Sequence, residues 1–202
     1  MPLLPTLRSQ SLNLQLILKE LLKREKIGQQ VKLTSPAAKY FQDIFLFLTK
    51  KIIKNCLILL DADNKKTILN RHVLQAIKIT IPEIYEKCEK VLNQHVTTYL
   101  EMKKAKEGQG DRKSRSSKGD VIFPAWATKR WRNLYLPGKP KIRVSDGVDI
   151  LLAALFQYIF LFIMEVAVKH LTHETRVMIG RRDVQWFIKE RNLSIRLTPT
   201  SE

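Results

Sequence analysis

Apolar residues recur at helical spacing in two successive sets, and the two sets share one layout. In the first, Leu14, Ile17, Leu18 and Leu21 form one stripe with Lys19, Lys23, Arg24 and Lys26 away from it. This predicts a short amphipathic helix. A loop from Gly28 to Leu33 follows, and Ser35-Pro36 predicts a helix start, with Ser as the cap and Pro in the first position. Phe41, Ile44, Phe45, Leu48, Ile52, Cys56 and Leu59 then recur at threes and fours to about Ala62. That run predicts a helix of about 28 residues, or about 40 Å. Asp61 to Asn64 interrupts it, and Thr67-Ile68-Leu69 predicts a short extended piece. Asn70 is the expected cap of a helix to about Thr80, and Pro82 opens another, amphipathic to about Leu100.

The second set repeats the first at an offset of roughly 110 residues, a spacing that marks internal duplication. Phe123-Pro124 opens a short helix carrying Trp126, Arg130, Trp131 and Leu134. A loop from Leu136 to Val144 holds Pro137, Gly138 and Pro140, and Ser145 or Asp146 is the expected cap of a long helix to about His173. Thr175-Arg176-Val177-Met178 forms a second loop, and Arg181 to Arg191 a last helix. Between the sets, Glu101 to Asp120 is rich in Lys, Ser, Gly and Arg without apolar periodicity, and is expected to be a flexible linker. Neither set can bury both sides of its long helix alone. Two long helices crossing would cover each other, so the pattern predicts an all-α pseudo-dimer made from one chain.

Charge adds a partner class. Across 202 residues, 36 Lys and Arg face 19 Asp and Glu, a formal +17 with pI near 10. Such a surplus points to a polyanion, either nucleic acid or an anionic membrane. Ile150 to Val168 is apolar enough to be weighed as a membrane span. Its length is marginal against the about 20 residues a span needs. Glu165 within it and Asp146 and Asp149 at its start favour a core helix instead.

Little suggests catalysis or metal chemistry. Cys56 and Cys88 lie in apolar helical patterns without a CxxC pair, which suits buried thiols in a reducing compartment. The opening Pro2-Leu3-Leu4-Pro5 is too short and proline-broken for the apolar core of a secretory signal. His170 and His173 have metal-compatible spacing but no third ligand nearby, so a shared helix face is the better reading. There is no P-loop, GxGxxG or HExxH, and the chain is expected to be neither an enzyme nor a carrier of a cofactor. Trp126, Trp131 and Trp186 are expected in the core or at an interface, and Asp61 or Asp63 is expected to pair with Arg71.

The short–long–short layout with basic loops at both ends of the long helix resembles the histone fold. Arg143-Val144-Ser145-Asp146-Gly147, followed by Leu152-Ala153-Ala154-Leu155-Phe156-Gln157-Tyr158, is similar to the first loop and long helix of histone 2A. Phe123-Pro124, Thr175-Arg176-Val177 and Val184-Gln185-Trp186-Phe187-Ile188 fit the same family. Leu33-Thr34-Ser35, Lys65-Lys66-Thr67-Ile68 and the stretch from Ile79 to Tyr99 resemble histone 2B, including its extra C-terminal helix. Together these imply a 2B–2A doublet of the kind known from large DNA viruses. The expected units are residues 1–100, a basic linker over 101–120, and residues 121–202.

The resemblance implies a chromatin structural protein that wraps double-stranded DNA without sequence specificity in a nucleosome-like particle. Its implied partners are DNA, histone 3 and histone 4 (separate or as a doublet), and histone chaperones, with no membrane among them. Its implied place is a host nucleus, a virion or a viral factory. The alternative is a histone-fold subunit of a transcription-regulatory complex. Loop 1 of each half should lie beside loop 2 of the other, which groups Lys32, Thr34 and Ser35 with Thr175 and Arg176. The same rule groups Lys139, Lys141 and Arg143 with Lys65, Lys66 and Thr67. A third site would use Lys19, Lys23, Lys129, Arg130 and Arg132 on the two first helices. Arg143 and Arg176 are the candidates for insertion into the minor groove, by analogy with the histone octamer. Departures narrow the resemblance. The docking extension of histone 2A is expected to be absent, because the sequence reaches Ser201-Glu202 soon after its last helix, and Gln157, Phe162 and Arg191-Asn192 stand where the family has carboxylates. Only Glu165 is retained of the family's acidic patch, so readers of that patch are not expected partners.

Overall fold

The computed structural model describes residues 13–27, 31–105, 115–138, 142–173, 177–190 and 193. The first half comprises α1 (Leu14–Arg24), β1 (Lys32–Leu33), α2 (Ser35–Ala62), β2 (Thr67–Ile68), α3 (Asn70–Thr80) and α4 (Pro82–Ala105). A single turn α5 (Arg115–Lys118) leads into α6 (Ala125–Asn133), β3 (Arg143–Val144), α7 (Val148–His173), β4 (Met178–Ile179) and α8 (Arg181–Glu190). The fold is all-α apart from these two-residue strands, and two short–long–short units form it.

The long helices α2 and α7 cross, and aromatic rings fill the crossing. Phe45 stacks on Phe156 at 4.7 Å between centroids, and Phe41 meets Phe160 edge-on at 4.9 Å. Phe123 and Trp131, delivered by α6 and its approach, close over the same rings. Every residue of α7 from Val148 to Gln157 is buried. By length and composition Val148–Leu171 could cross a membrane, yet 72% of its apolar window is buried within the fold. Hydrophobicity all round therefore marks α7 as a helix covered by both halves.

Helix starts differ in detail from the sequence reading. Thr34, not Ser35, caps α2: its Oγ1 accepts from Ala37 N–H at 3.4 Å, and Pro36 sits in the first turn. Asn70 is the first residue of α3 rather than its cap. The Leu69 N–H there donates to Nδ1 of the buried His72, whose Nε2 lies 3.3 Å from Asp63. α7 begins at Val148, whose N–H donates to the Ser145 carbonyl at 3.2 Å. Pro124 lies just ahead of α6, and the Ser116 hydroxyl receives the Ala125 N–H at 2.7 Å.

α4 continues past Leu100 to Ala105, and α5 falls inside the stretch expected to be linker. The turn after α5 is tied down on several sides. Gly119 O contacts His95 Nδ1 at 2.9 Å, Ile122 N–H donates to Gln157 Oε1 at 3.0 Å, and Arg24 pairs with Asp120 at 2.9 Å. These bonds hold α1, α4 and α7 against the entry to the second unit.

Candidate nucleic-acid interface

Loops meet at both ends of the crossed helices, where they form two parallel straps. At one end β1 pairs with β4, Lys32 opposite Met178 and Leu33 opposite Ile179. Lys32 N–H donates to Val177 O at 2.7 Å and Thr34 N–H to Ile179 O at 3.1 Å. At the other end β2 pairs with β3, Thr67 opposite Arg143 and Ile68 opposite Val144. Arg143 N–H donates to Lys66 O and Ser145 N–H to Ile68 O, both at 2.9 Å. Each strap thus joins loop 1 of one half to loop 2 of the other, because the crossing brings the start of each long helix to the end of its partner.

The first strap presents Lys32 to solvent. Two hydroxyls expected to face DNA are engaged internally instead. Thr34 Oγ1 donates to Ile179 O at 3.0 Å while capping α2, and Ser35 Oγ donates to Gln15 Oε1 at 3.0 Å. They shape the strap more than its outer face. Beside it, an open cleft of about 280 Å³ is lined by Asn13, Gln15, Ser35, Lys39 and Gln42. Sequence reasoning missed three cations here. Lys39 and Arg182 are exposed, and the Arg181 guanidinium lies over the Tyr40 ring at 5.2 Å. Burial pushes the Tyr40 hydroxyl up from its ordinary value, against the lowering effects of the Gln185 hydrogen bond and Arg181. Burial likewise pushes the neighbouring Asp43 carboxyl up, opposed by Lys39 and Arg181. The signal available beforehand was position: Arg181 and Arg182 open the helix that follows loop 2.

The second strap exposes Lys65, Lys66 and Arg143, with Thr67 half-buried. Its base is braced by three polar contacts. Ser145 Oγ donates to Asn70 Oδ1 at 3.2 Å, Arg71 pairs with Asp63 at 3.5 Å, and Lys103 at the end of α4 pairs with Asp146. The expected Asp63–Arg71 clamp is therefore present. Lys139, Lys141, Thr175 and Arg176 lie outside the described residues.

The third group divides. Lys19 and Lys23 are exposed on α1, Lys129 is exposed on α6, and Arg130 is half-buried. Arg132 is a correction. It is 5% exposed, and its guanidinium is held by both carboxylate oxygens of Asp149 at 2.9 and 3.3 Å. Thr128 completes the cluster by donating to the Asp149 carbonyl at 2.9 Å. A buried cation needs such a partner, so Arg132 ties α6 to α7.

Of the tryptophans, Trp131 is in the core, whereas Trp126 and Trp186 are 46% and 44% exposed. Trp186 stacks on His170 at 4.6 Å between centroids. The His173 side chain lies outside the described residues. Cys56 and Cys88 are buried, and burial pushes both thiols up to about 12.

No protein-family model and no curated protein matches the sequence. Among solved structures, the chain is similar to the crystal structure of the histone from Methanopyrus kandleri, with a TM-score of 0.52 and 16% identity. The match covers 91% of this chain and 98% of that one. At that identity the likeness shows the fold: two histone folds in one chain, joined in an intramolecular handshake.

Proposed function

We propose that this protein is a chromatin-type structural protein that binds double-stranded DNA without sequence specificity. The single observation carrying this reading is the pair of basic straps at opposite ends of the crossed helices. Lys32 stands at one, and Lys65, Lys66 and Arg143 at the other. Two cationic points fixed on a rigid frame suit two separated stretches of phosphate backbone. Phosphate contacts fix position without reading sequence. Exposed Lys19 and Lys23 on α1 and Lys129 on α6, with half-buried Arg130, supply a third point.

In the finer reading the chain is a 2B–2A histone doublet, its two units meeting within 101–120. It joins a histone 3 and histone 4 partner to wrap DNA in nucleosome-like particles, on chromosomes or within a virion. Arg143 and Arg176 insert into the minor groove. No catalytic step is part of this reading. Reconstitution with a histone 3–4 partner, followed by nuclease digestion, tests it. A protected fragment of discrete length that requires both components is the expected result. Smooth digestion in every mixture overturns the wrapping reading, and sequence-selective binding that survives high salt favours a regulatory subunit.

A further inference from the structure

The two long helices occupy equivalent places but are not equally covered. Phe45 lies twelve residues after Leu33 and Phe156 twelve after Val144, the strap residues at the starts of their helices. A pseudo-twofold axis therefore passes between these stacked rings. α4 runs antiparallel along α7. Lys87 sits over the Phe162 ring at 5.1 Å, His95 contacts Gly119 beside Ile150, and Lys103 reaches Asp146. Beneath it Ile84, Cys88, Leu92 and Val96 are buried.

Counted from the straps, the α2 positions matching Tyr158, Phe162 and Glu165 are Phe47, Lys51 and Lys54. Among the described residues no helix takes the place of α4 over them. α2 packs on α1, α3, α6 and α8 with its other faces. On the open face Lys50, Lys51, Lys54 and Ile58 are exposed, Ile58 by 58%, and Phe47 is half-buried under the Lys51 ammonium at 4.7 Å. From Phe47 to Ile58 the sequence has three lysines and no carboxylate. None of the three is held in an ion pair among the described residues.

This stripe lies mid-helix, away from both straps, and its apolar members sit about three turns apart. Apolar anchors separated by whole turns are how a groove accepts an amphipathic helix. Lysines between them select carboxylates on that helix. A phosphate backbone would use the lysines and gain nothing from Phe47 and Ile58. We propose that the open face of α2 docks an acidic amphipathic helix of a partner protein, in the position equivalent to the one α4 occupies on α7.

The test uses the full chain and a fluorescein-labelled synthetic helical peptide with leucines on one face and glutamates on its flanks. The same residues in scrambled order provide one control, and a peptide with lysine for every glutamate another. The acidic helix should bind, with the scrambled peptide at least ten-fold weaker and the basic one not bound. Reversing Lys50→Glu, Lys51→Glu and Lys54→Glu together should weaken binding at least ten-fold, and Ile58→Asp about five-fold. A charge-matched reversal elsewhere, Lys19→Glu, Lys65→Glu and Lys66→Glu, should change it less than two-fold. All these positions are exposed, and circular dichroism confirms that each variant folds. Equal binding of the scrambled peptide, or equal loss in both triple variants, overturns the proposal in favour of unspecific charge attraction. A first triple variant that loses affinity for a 30-base-pair duplex, but not for the peptide, assigns the face to DNA. Duplex binding by the unaltered chain is measured in the same series, so failure of the DNA-binding reading is seen separately.

Discussion

Phe45 and Phe156 stack with 18° between their planes, each contributed by the first half of a crossing helix and each related to the other by the pseudo-twofold of the chain. Both are fully buried, and Phe41, Phe123, Trp131 and Phe160 pack around them. The contact belongs to neither half. Each half leaves one side of its long helix open, and this pair closes both sides at once.

Removing either ring should therefore destabilise the whole chain and not one half. Phe45→Ala or Phe156→Ala is expected to cost about 3–5 kcal/mol, the usual loss for a large aromatic deleted from a close-packed core. Urea unfolding followed by both far-ultraviolet dichroism and tryptophan fluorescence checks this. The two signals should shift together. A variant that melts only Trp131 and leaves helix content in place would show that the halves fold independently.

Arg132 and Asp149 form a buried pair, so deleting one member is costly. Arg132→Ala leaves the Asp149 carboxylate in the core without its guanidinium, at an expected cost of about 3–5 kcal/mol. Arg132→Met combined with Asp149→Leu should recover most of that, since apolar residues of similar volume replace such pairs well. DNA affinity of the folded double variant should match the parent. A salt-insensitive loss of folding with Arg132→Ala separates this brace from Lys129→Ala, which should weaken DNA binding and leave stability unchanged.

The extent of the long helices was legible because apolar positions at threes and fours persist through Ala62 and His173. Strap pairing was implied by the resemblance to the histone fold. Arg132 was not legible: on its own helix it reads as one more cation beside Lys129 and Arg130, and the carboxylate that buries it comes from α7. Thr34 and Ser35 show the same gap, since a hydroxyl's local role as cap and its role facing a ligand leave the same mark in sequence. Lys39, Arg181 and Arg182 join the first strap only through the approach of α8 to the start of α2. The end of α4 was placed short because Glu101 to Lys104 has no apolar period, and Lys103 is instead fixed by Asp146.

High pH should weaken the fold through its two thiols. Burial pushes Cys56 and Cys88 up to about 12, while in the unfolded chain they ionise from about pH 8.5. Above that pH the unfolded state binds fewer protons than the folded one, so stability falls as pH rises toward about 12. Each thiol contributes a slope of about 1.4 kcal/mol per pH unit in that window, and none below it. Urea midpoints at pH 7, 9 and 10 measure the fall. Cys56→Ala with Cys88→Ala should flatten it, whatever constant loss the two small cavities add.

Gly147 lies just ahead of α7 against the first residue of α3, and a side chain there has little room. A Cβ at this position would lie 2.5 Å from Asn70 Nδ2 and 2.9 Å from Oδ1. Gly147→Ala should therefore turn the Asn70 amide away and break its bond to Ser145, at a cost of about 1 kcal/mol. In an Asn70→Ala background the same change should cost little. A double-mutant cycle by thermal melting reads the coupling, and additive losses would mean that the two strap ends do not communicate through this contact.

At the strap itself the expected effect is on salt dependence as much as on affinity. If about 6–10 phosphates are neutralised, the affinity of the chain for duplex DNA should fall with a log–log salt slope of about −5 to −9. Arg143→Ala removes one exposed cation and should reduce the slope by about 0.9. Lys65→Ala with Lys66→Ala should reduce it by about twice that. Arg176→Ala should act like Arg143→Ala, weakening binding alike across duplex sequences. Lys65, Lys66 and Arg143 are exposed, so thermal stability should stay within about 0.5 kcal/mol for each of their variants. A change in affinity confined to one duplex sequence would instead make Arg143 a base-reading residue. An unchanged slope would place the phosphate contacts elsewhere, with the exposed cations of α1 and α6 next in line.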